Sequence, residues 1–268
     1  MPAPVALVPV DARILSSYAR AGGTGGPREG LRPLSQLGKA GVCTAVTAAA
    51  LWAFDEAVRK AGGDLRITEL HRDVAVQQAA RAKYDRWVAA GKPKPGTAGF
   101  NAATMKNAFV ATPGRSMHNA GRAIDVHLAP LKFPGVAADK QLDVLWGIAR
   151  PLGWSPVIKA PDEGASEAWH FDHWGDLHGV YVRLGYEQAA FAGALLVGHA
   201  GAGTSWASVT QALLQRAGRN IGAIDGAFGA KSKAALGAAL QLSTASVDAC
   251  VLGQDESIWP KLVALPPA

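Results

Sequence analysis

The sequence predicts an α+β fold, a small antiparallel sheet packed with helices, followed by a small three-helix module. Three observations carry this prediction. Between residues 43 and about 198, Ala-rich stretches with apolar residues at helical spacing alternate with short strand-like runs. "GHAGAGTS" (198–205) interrupts that pattern with glycines, so 199–204 reads as a linker between units spanning 1–198 and 205–268. Beyond it the composition is helical and small-residue to the end, long enough for a three-helix unit.

The elements follow in order. "ARAGGTGGPREG" (19–30) is a glycine-rich connector. "CTAVTAAALWAFDEAVRKAGG" (43–63) has a helical apolar period and ends at a Gly pair suited to a C-cap. "DLRITEL" is a short strand. "DVAVQQAARAKYDRWVAAG" is a second helix stopped by Gly, and the Pro and Gly of "KPKPGTAGFN" make a loop. In "RAIDVHL", Ile124, Val126 and Leu128 share one strand face while Asp125 and His127 share the other. "DKQLDVLWGIARPLGW" reads as a third helix and "AWHFDHW" as a further strand. "SVTQALLQRAGRN", "AKSKAALGAALQ" and "ESIWPKLVAL" supply the three helices of the module.

Composition narrows the function classes. Of 268 residues 49% are apolar and 18% charged, which supports a real core and excludes global disorder. The net charge of +6 and pI near 9.4 suit an anionic partner: nucleic acid, phospholipid or an acidic wall polymer. There is no basic block, P-loop or aromatic-basic RNA motif, so nucleic acid is not the expected partner. Cys43 and Cys250 have no Cys neighbour and form no thiolate zinc site; buried thiols are expected, with one bridge left open. The N-terminal stretch lacks the basic start and apolar core of a Sec signal, and no apolar run spans a bilayer.

The chemistry concentrates in "PGRSMHNAGRAIDVH" (113–127) and "SEAWHFDHWG" (166–175). Zinc hydrolase sites combine His nitrogens with one carboxylate and leave a position open. His118 precedes a Gly that permits a tight turn, and Asp125 follows on a strand, so both side chains can meet at one point. His170 supplies a third ligand. Glu167, three residues earlier, is placed to act as general base on the attacking water and then to protonate the leaving amine. An offset of three on a regular strand points to opposite faces, so Glu167 must precede the strand or sit at a bulge. His127 and His173 are rival ligands; His71, His178 and His199 read as ordinary. Trp169, Phe171 and Trp174 read as core or cleft wall.

"SMHNAGRAID" resembles the Ser-x-His-x-x-Gly-x-Ala-x-Asp motif of the zinc D-alanyl-D-alanine peptidases, a family that includes carboxypeptidases, dipeptidases and phage endolysins. "EAWHF" resembles its Glu-x-Trp-His motif, and "ITELHRDVAVQQ" its strand-Arg-helix segment. The resemblance spans roughly residues 65–175. It implies one zinc ion held by His118, Asp125 and His170, with Glu167 as catalytic base. It further implies Arg72 at the oxyanion or the substrate carboxylate, and Ser116 and Gln77 at the substrate. "TELHRD" departs from the family's Ser-Gly-Tyr-Arg-Ser wording, so the role of Arg72 rests on less than the metal set.

"VTQALLQRAGRNIGAIDGAFGAKSKAAL" resembles the helical peptidoglycan-binding repeat domain through Leu213 and Leu214, Asp225 to Gly229, and Ser232. That resemblance implies a groove near Asp225, Gly226 and Phe228. "QLSTASVDACVLGQ" departs from the usual wording.

Together these features predict a monomeric zinc metallopeptidase that hydrolyses the peptide stems of bacterial peptidoglycan. The Trp of Glu-x-Trp-His favours D,D-cleaving members over L-alanyl-D-glutamate endopeptidases. A chain made in the cytoplasm without a Sec signal but directed at the wall suggests a phage endolysin, or a toxin injected by a secretion machine. The rival class, a wall-binding protein with a silent zinc fold, predicts loss of the base, whereas Glu167 is present.

Overall fold

Four short strands in "DLRITEL", "RAIDVHL", "LGWSP" and "HFDH" pair into one antiparallel sheet in a computed structural model. It describes residues 1–10, 41–107, 109–129, 131–162, 164, 167–199, 201 and 203–268. The connector expected at 19–30 lies outside the described residues.

A two-stranded ribbon of β1 (Leu7–Pro9) and β2 (Val42–Thr44) leads into α1 (Ala45–Lys60), whose N-cap Thr44 accepts from the Thr47 amide. β3 (Ile67–Glu69) follows, then α2 (Val74–Ala89), which starts behind the cap Asp73. β4 (Ala123–Val126), α3 (Gln141–Ala149), β5 (Trp154–Pro156) and β6 (His170–His173) complete the unit. The sheet order is β3-β4-β6-β5, antiparallel throughout. The fold is therefore α+β with small antiparallel sheets, as expected. The helix expected over "DKQLDVLWGIARPLGW" is shorter: Pro151 tightens its end into a 3-10 turn, and Gly153 at φ 82 turns the chain into β5.

Sheet alternation separates core from cleft. Ile124 faces Phe171 across β4 and β6, both fully buried with Phe54 and Leu51 of α1 and Trp154 of β5. Burying each such side chain stabilises the fold by roughly 1.5–3 kcal/mol. One residue along, Asp125 faces His170, and Glu69 is opposite Asp125 where the β3–β4 register shifts. Glu69, Asp125 and His170 thus form a polar row on the face away from α1.

Two helices not foreseen, α4 (His178–Leu184) and α5 (Tyr186–Leu196), follow the sheet. After the linker come α6 (Trp206–Arg216), α7 (Ala230–Leu240), α8 (Thr244–Gly253) and α9 (Trp259–Val263). The three-helix expectation is corrected here: "STASVDACVLG" forms α8 as an additional helix, because Ser243 caps it by accepting from the Ser246 amide. α6 opens with a reciprocal Ser205–Ser208 capping box. Leu213 and Leu214 of α6 are fully buried in one apolar cluster that also takes Ala189 to Leu196 of α5.

The two sides of the linker are also joined by polar contacts. Arg216 of α6 pairs with Asp176 at 2.5 Å, and Asp176 pairs in turn with the fully buried Arg122 beside the start of β4. The Ile224 amide donates to Gln188 Oε1 at 3.0 Å. Cys43 is a buried unpaired thiol, pushed up to about 12 by burial, and Cys250 is half-buried and unpaired. No single helix among the described residues is long and apolar enough to cross a membrane.

Candidate metal centre

His118 is carried by the turn 116–121, which is closed by Asn119 N–H to Ser116 O at 2.9 Å and Gly121 N–H to His118 O at 3.1 Å. Gly121 takes φ 63, the left-handed region a tight turn needs, and a Cβ there would meet Leu7 at 2.5 Å. The turn is stitched to the segment after β3: Arg72 N–H donates to His118 O at 3.1 Å, and Asn119 Nδ2 donates to Arg72 O at 2.7 Å. Strand pairing supplies the rest, since Asp125 and His170 are cross-strand neighbours.

One ligand atom from each of His118, Asp125 and His170 lies within 4.8 Å of the other two, a buried group that can hold a metal ion. The second ring nitrogens fix the orientation. His118 Nδ1 donates to Leu70 O at 2.5 Å, which turns Nε2 toward Asp125 Oδ1, 3.2 Å away. His170 Nε2 donates to Asp172 Oδ1 at 2.9 Å, which turns Nδ1 toward the same Asp125 oxygen, 3.0 Å away. Three electron-rich atoms facing one another repel unless protons or a cation lie between them.

Their spacing suits a cation. Two tetrahedral zinc ligands about 2.0–2.1 Å from the ion stand roughly 3.3–3.4 Å apart, close to the 3.0 and 3.2 Å found. Two imidazole nitrogens and one carboxylate oxygen also form a donor set that fits zinc.

The electrostatics match. Burial pushes the Asp125 carboxyl up, but the charges and hydrogen bonds of His118 and His170 outweigh it and leave it well below the carboxylate range. Burial lowers His170, yet Asp172 and Asp125 outweigh it and hold the imidazole at about 10. Asp172 also meets the Tyr186 hydroxyl, and burial followed by that carboxylate raises the Tyr186 phenol above its ordinary range. Such carboxylate–His partners orient metal ligands and raise their basicity.

The cluster forms the floor of a cleft of about 410 Å³, whose rim includes Glu167, Arg72, Ser116, Lys106 and Trp169. Glu167 sits in the turn before β6, with its carbonyl accepting from His170 N–H at 3.0 Å and φ at 71. A non-Gly residue in that region stores strain, which clusters at working sites. Ser116 lines the cleft while its Oγ accepts from His118 N–H at 3.3 Å.

Arg72 reaches the cleft already engaged. Its Nε and Nη2 bind Glu69 at 2.8 and 2.5 Å, and Nη1 binds Gln77 Oε1 at 2.7 Å. Burial pushes Glu69 up, but Arg72 and His118 together leave it below the ordinary range. Gln77, expected at the substrate, is fully buried instead; its Nε2 donates to Ala111 O at 2.7 Å and its oxygen anchors Arg72. It holds Arg72 rather than lining the cleft.

The rival histidines stay outside the cluster. His173 points to the α1 side of the sheet, 3.1 Å from Thr47 Oγ1, and the His127 N–H donates to Arg66 O. In the module, Asp225 is exposed and its Oδ1 accepts from Gln211 Nε2 and the Ala227 amide. Phe228 is half-buried against Trp206, with ring centroids 5.0 Å apart. Sequence reading missed Glu69, Asp172 and Tyr186. Asp172 had a signal, since two residues past His170 on a strand puts it on the same face; Glu69 and Tyr186 had none.

No protein-family model matches the chain, and no curated protein matches it.

Proposed function

We propose that the protein is a zinc metallopeptidase that cleaves the peptide stems of bacterial peptidoglycan, with a fold of the zinc D,D-peptidase kind. The observation that carries this reading is the convergence of His118 Nε2, Asp125 Oδ1 and His170 Nδ1 beneath a cleft that also holds Glu167. These three residues would hold the ion. When bound, zinc supplies a Lewis acid that acidifies water and polarises a carbonyl oxygen.

The chain's own residues do the rest. The Glu167 carboxylate takes a proton from the attacking water and delivers it to the departing amine nitrogen as the C–N bond breaks. Arg72 has five N–H donors; three serve Glu69 and Gln77, leaving two to face the oxyanion. Asp172, backed by Tyr186, keeps the His170 ring turned to the cluster. Trp169, 38% exposed, and Ser116 wall the stem peptide.

The helical module after the linker is proposed to bind the same polymer near Asp225 and Phe228, and the net charge of +6 favours an anionic wall. Release by a phage or injection as a toxin is the route this reading favours. Digestion of purified muropeptides with and without a chelator, read by mass spectrometry, tests it. Loss of one alanine or a split dimer that the chelator abolishes is expected, and a freed L-Ala stem end identifies the endopeptidase alternative. Intact muropeptides in the presence of added zinc overturn the reading.

A further inference from the structure

Two cations line the metal cleft among the described residues, and they are in opposite states. Arg72 is neutralised by a bidentate carboxylate and clamped by the buried Gln77. Lys106 is exposed at the rim, and no ion pair engages its ammonium among the described residues. Its backbone is fixed to α2 by a bond from Lys106 N–H to Lys83 O at 3.2 Å.

The surroundings explain what such a lysine meets. Phe109, Val157 and Trp169, at 63%, 41% and 38% exposure, are apolar walls that offer a charged substrate end no counter-charge. The negative groups are already assigned: Glu69 to Arg72, Asp125 to the ligand set, Glu167 to proton transfer. With a divalent ion bound, the cleft's described residues carry net positive charge, and among them Lys106 is the unneutralised side-chain source. An ammonium is a compact charge on a flexible stem, suited to a carboxylate whose approach is not fixed to one plane.

We infer that Lys106 recognises a free carboxylate of the substrate, so that the cleft selects stem peptides bearing a carboxylate near the scissile bond over their amidated forms. This rests on the peptidase reading for its substrate class and adds the residue that sets selectivity. Two carboxylates of a stem peptide offer the same chemistry, the chain-terminal one and the α-carboxylate of the γ-linked D-glutamate.

The test measures binding rather than turnover. Zinc-loaded E167Q is titrated calorimetrically with the pentapeptide L-Ala-γ-D-Glu-L-Lys-D-Ala-D-Ala and with versions amidated at the C-terminus or at D-Glu. One amide is expected to bind about tenfold to a hundredfold more weakly, as loss of a charged hydrogen bond predicts. The sensitive amide identifies which carboxylate is read. Adding K106M should abolish the difference. Equal binding of all three peptides, or discrimination that survives K106M, overturns the inference; hydrolysis of the pentapeptide by the wild-type protein would then leave the peptidase reading standing. Failure to bind any of the three overturns the inference, and absence of wild-type hydrolysis alongside it overturns the peptidase reading as well.

Discussion

His170 donates its Nε2–H to Asp172 Oδ1 at 2.9 Å, which leaves Nδ1 as the atom turned toward Asp125. Both residues stand on β6 two positions apart, so strand geometry alone aims them at the same face. Asp172 is 1% exposed, so its charge is answered by His170 and Tyr186 rather than by water.

Asp172→Ala should therefore weaken zinc affinity by about 10–100-fold without removing a ligand. Competition against a chromophoric chelator measures this. Tyr186→Phe should give a smaller loss in the same assay, because His170 keeps its carboxylate partner.

Glu167→Gln should bind zinc as tightly as the wild type and lose roughly 10²–10⁴ in kcat, the range for a positioned proton-transfer group. Muropeptide turnover and metal content are the paired readouts. Glu167→Gly should likewise abolish turnover while holding the wild-type melting temperature or raising it, since glycine relieves the positive φ of 71.

Asp176 joins Arg122 of the sheet-bearing unit to Arg216 of the helical one. Asp176→Ala strands Arg122, 1% exposed, without its carboxylate, and should cost about 3–5 kcal/mol in chemical denaturation. Ending the chain after residue 198 should give an aggregating product, because Ala189 to Leu196 would lose the α6 surface that buries them. A soluble, cooperatively melting fragment would contradict this.

Burial, followed by the Arg122 charge, lowers His173 to about 4. Its neutral form is favoured in the folded state, so the stabilisation is full above the unfolded value near 6.5. It is lost as pH falls toward 4, up to about 3 kcal/mol. Denaturant midpoints across that window should fall in the wild type and fall less steeply in His173→Asn, where His71, which burial likewise lowers to about 4, supplies the remaining slope.

Sequence reading found the parts of the site that have local signatures. The His118–Gly121–Asp125 spacing and the position of Glu167 ahead of a strand both follow from turn and strand geometry, and the structure has them there. Glu69 escaped because its place beside Asp125 depends on a register shift between β3 and β4. Gln77 was assigned to the substrate through the resemblance alone, which does not tell whether its side chain faces the cleft or the Ala111 carbonyl beneath it. Beyond the site, α5 is almost wholly buried, so it lacks the amphipathic period that marks a surface helix. Its packing on α6 could not be read from a glycine-rich linker that suggests separate units.

The most direct measurement is a crystal structure of the zinc-loaded protein with anomalous data at the zinc edge. It should show one ion per chain, about 2.0–2.2 Å from His118 Nε2, Asp125 Oδ1 and His170 Nδ1, with its remaining position open to the cleft beside Glu167. Density absent from that point at saturating zinc, or an ion held by other side chains, would contradict the account.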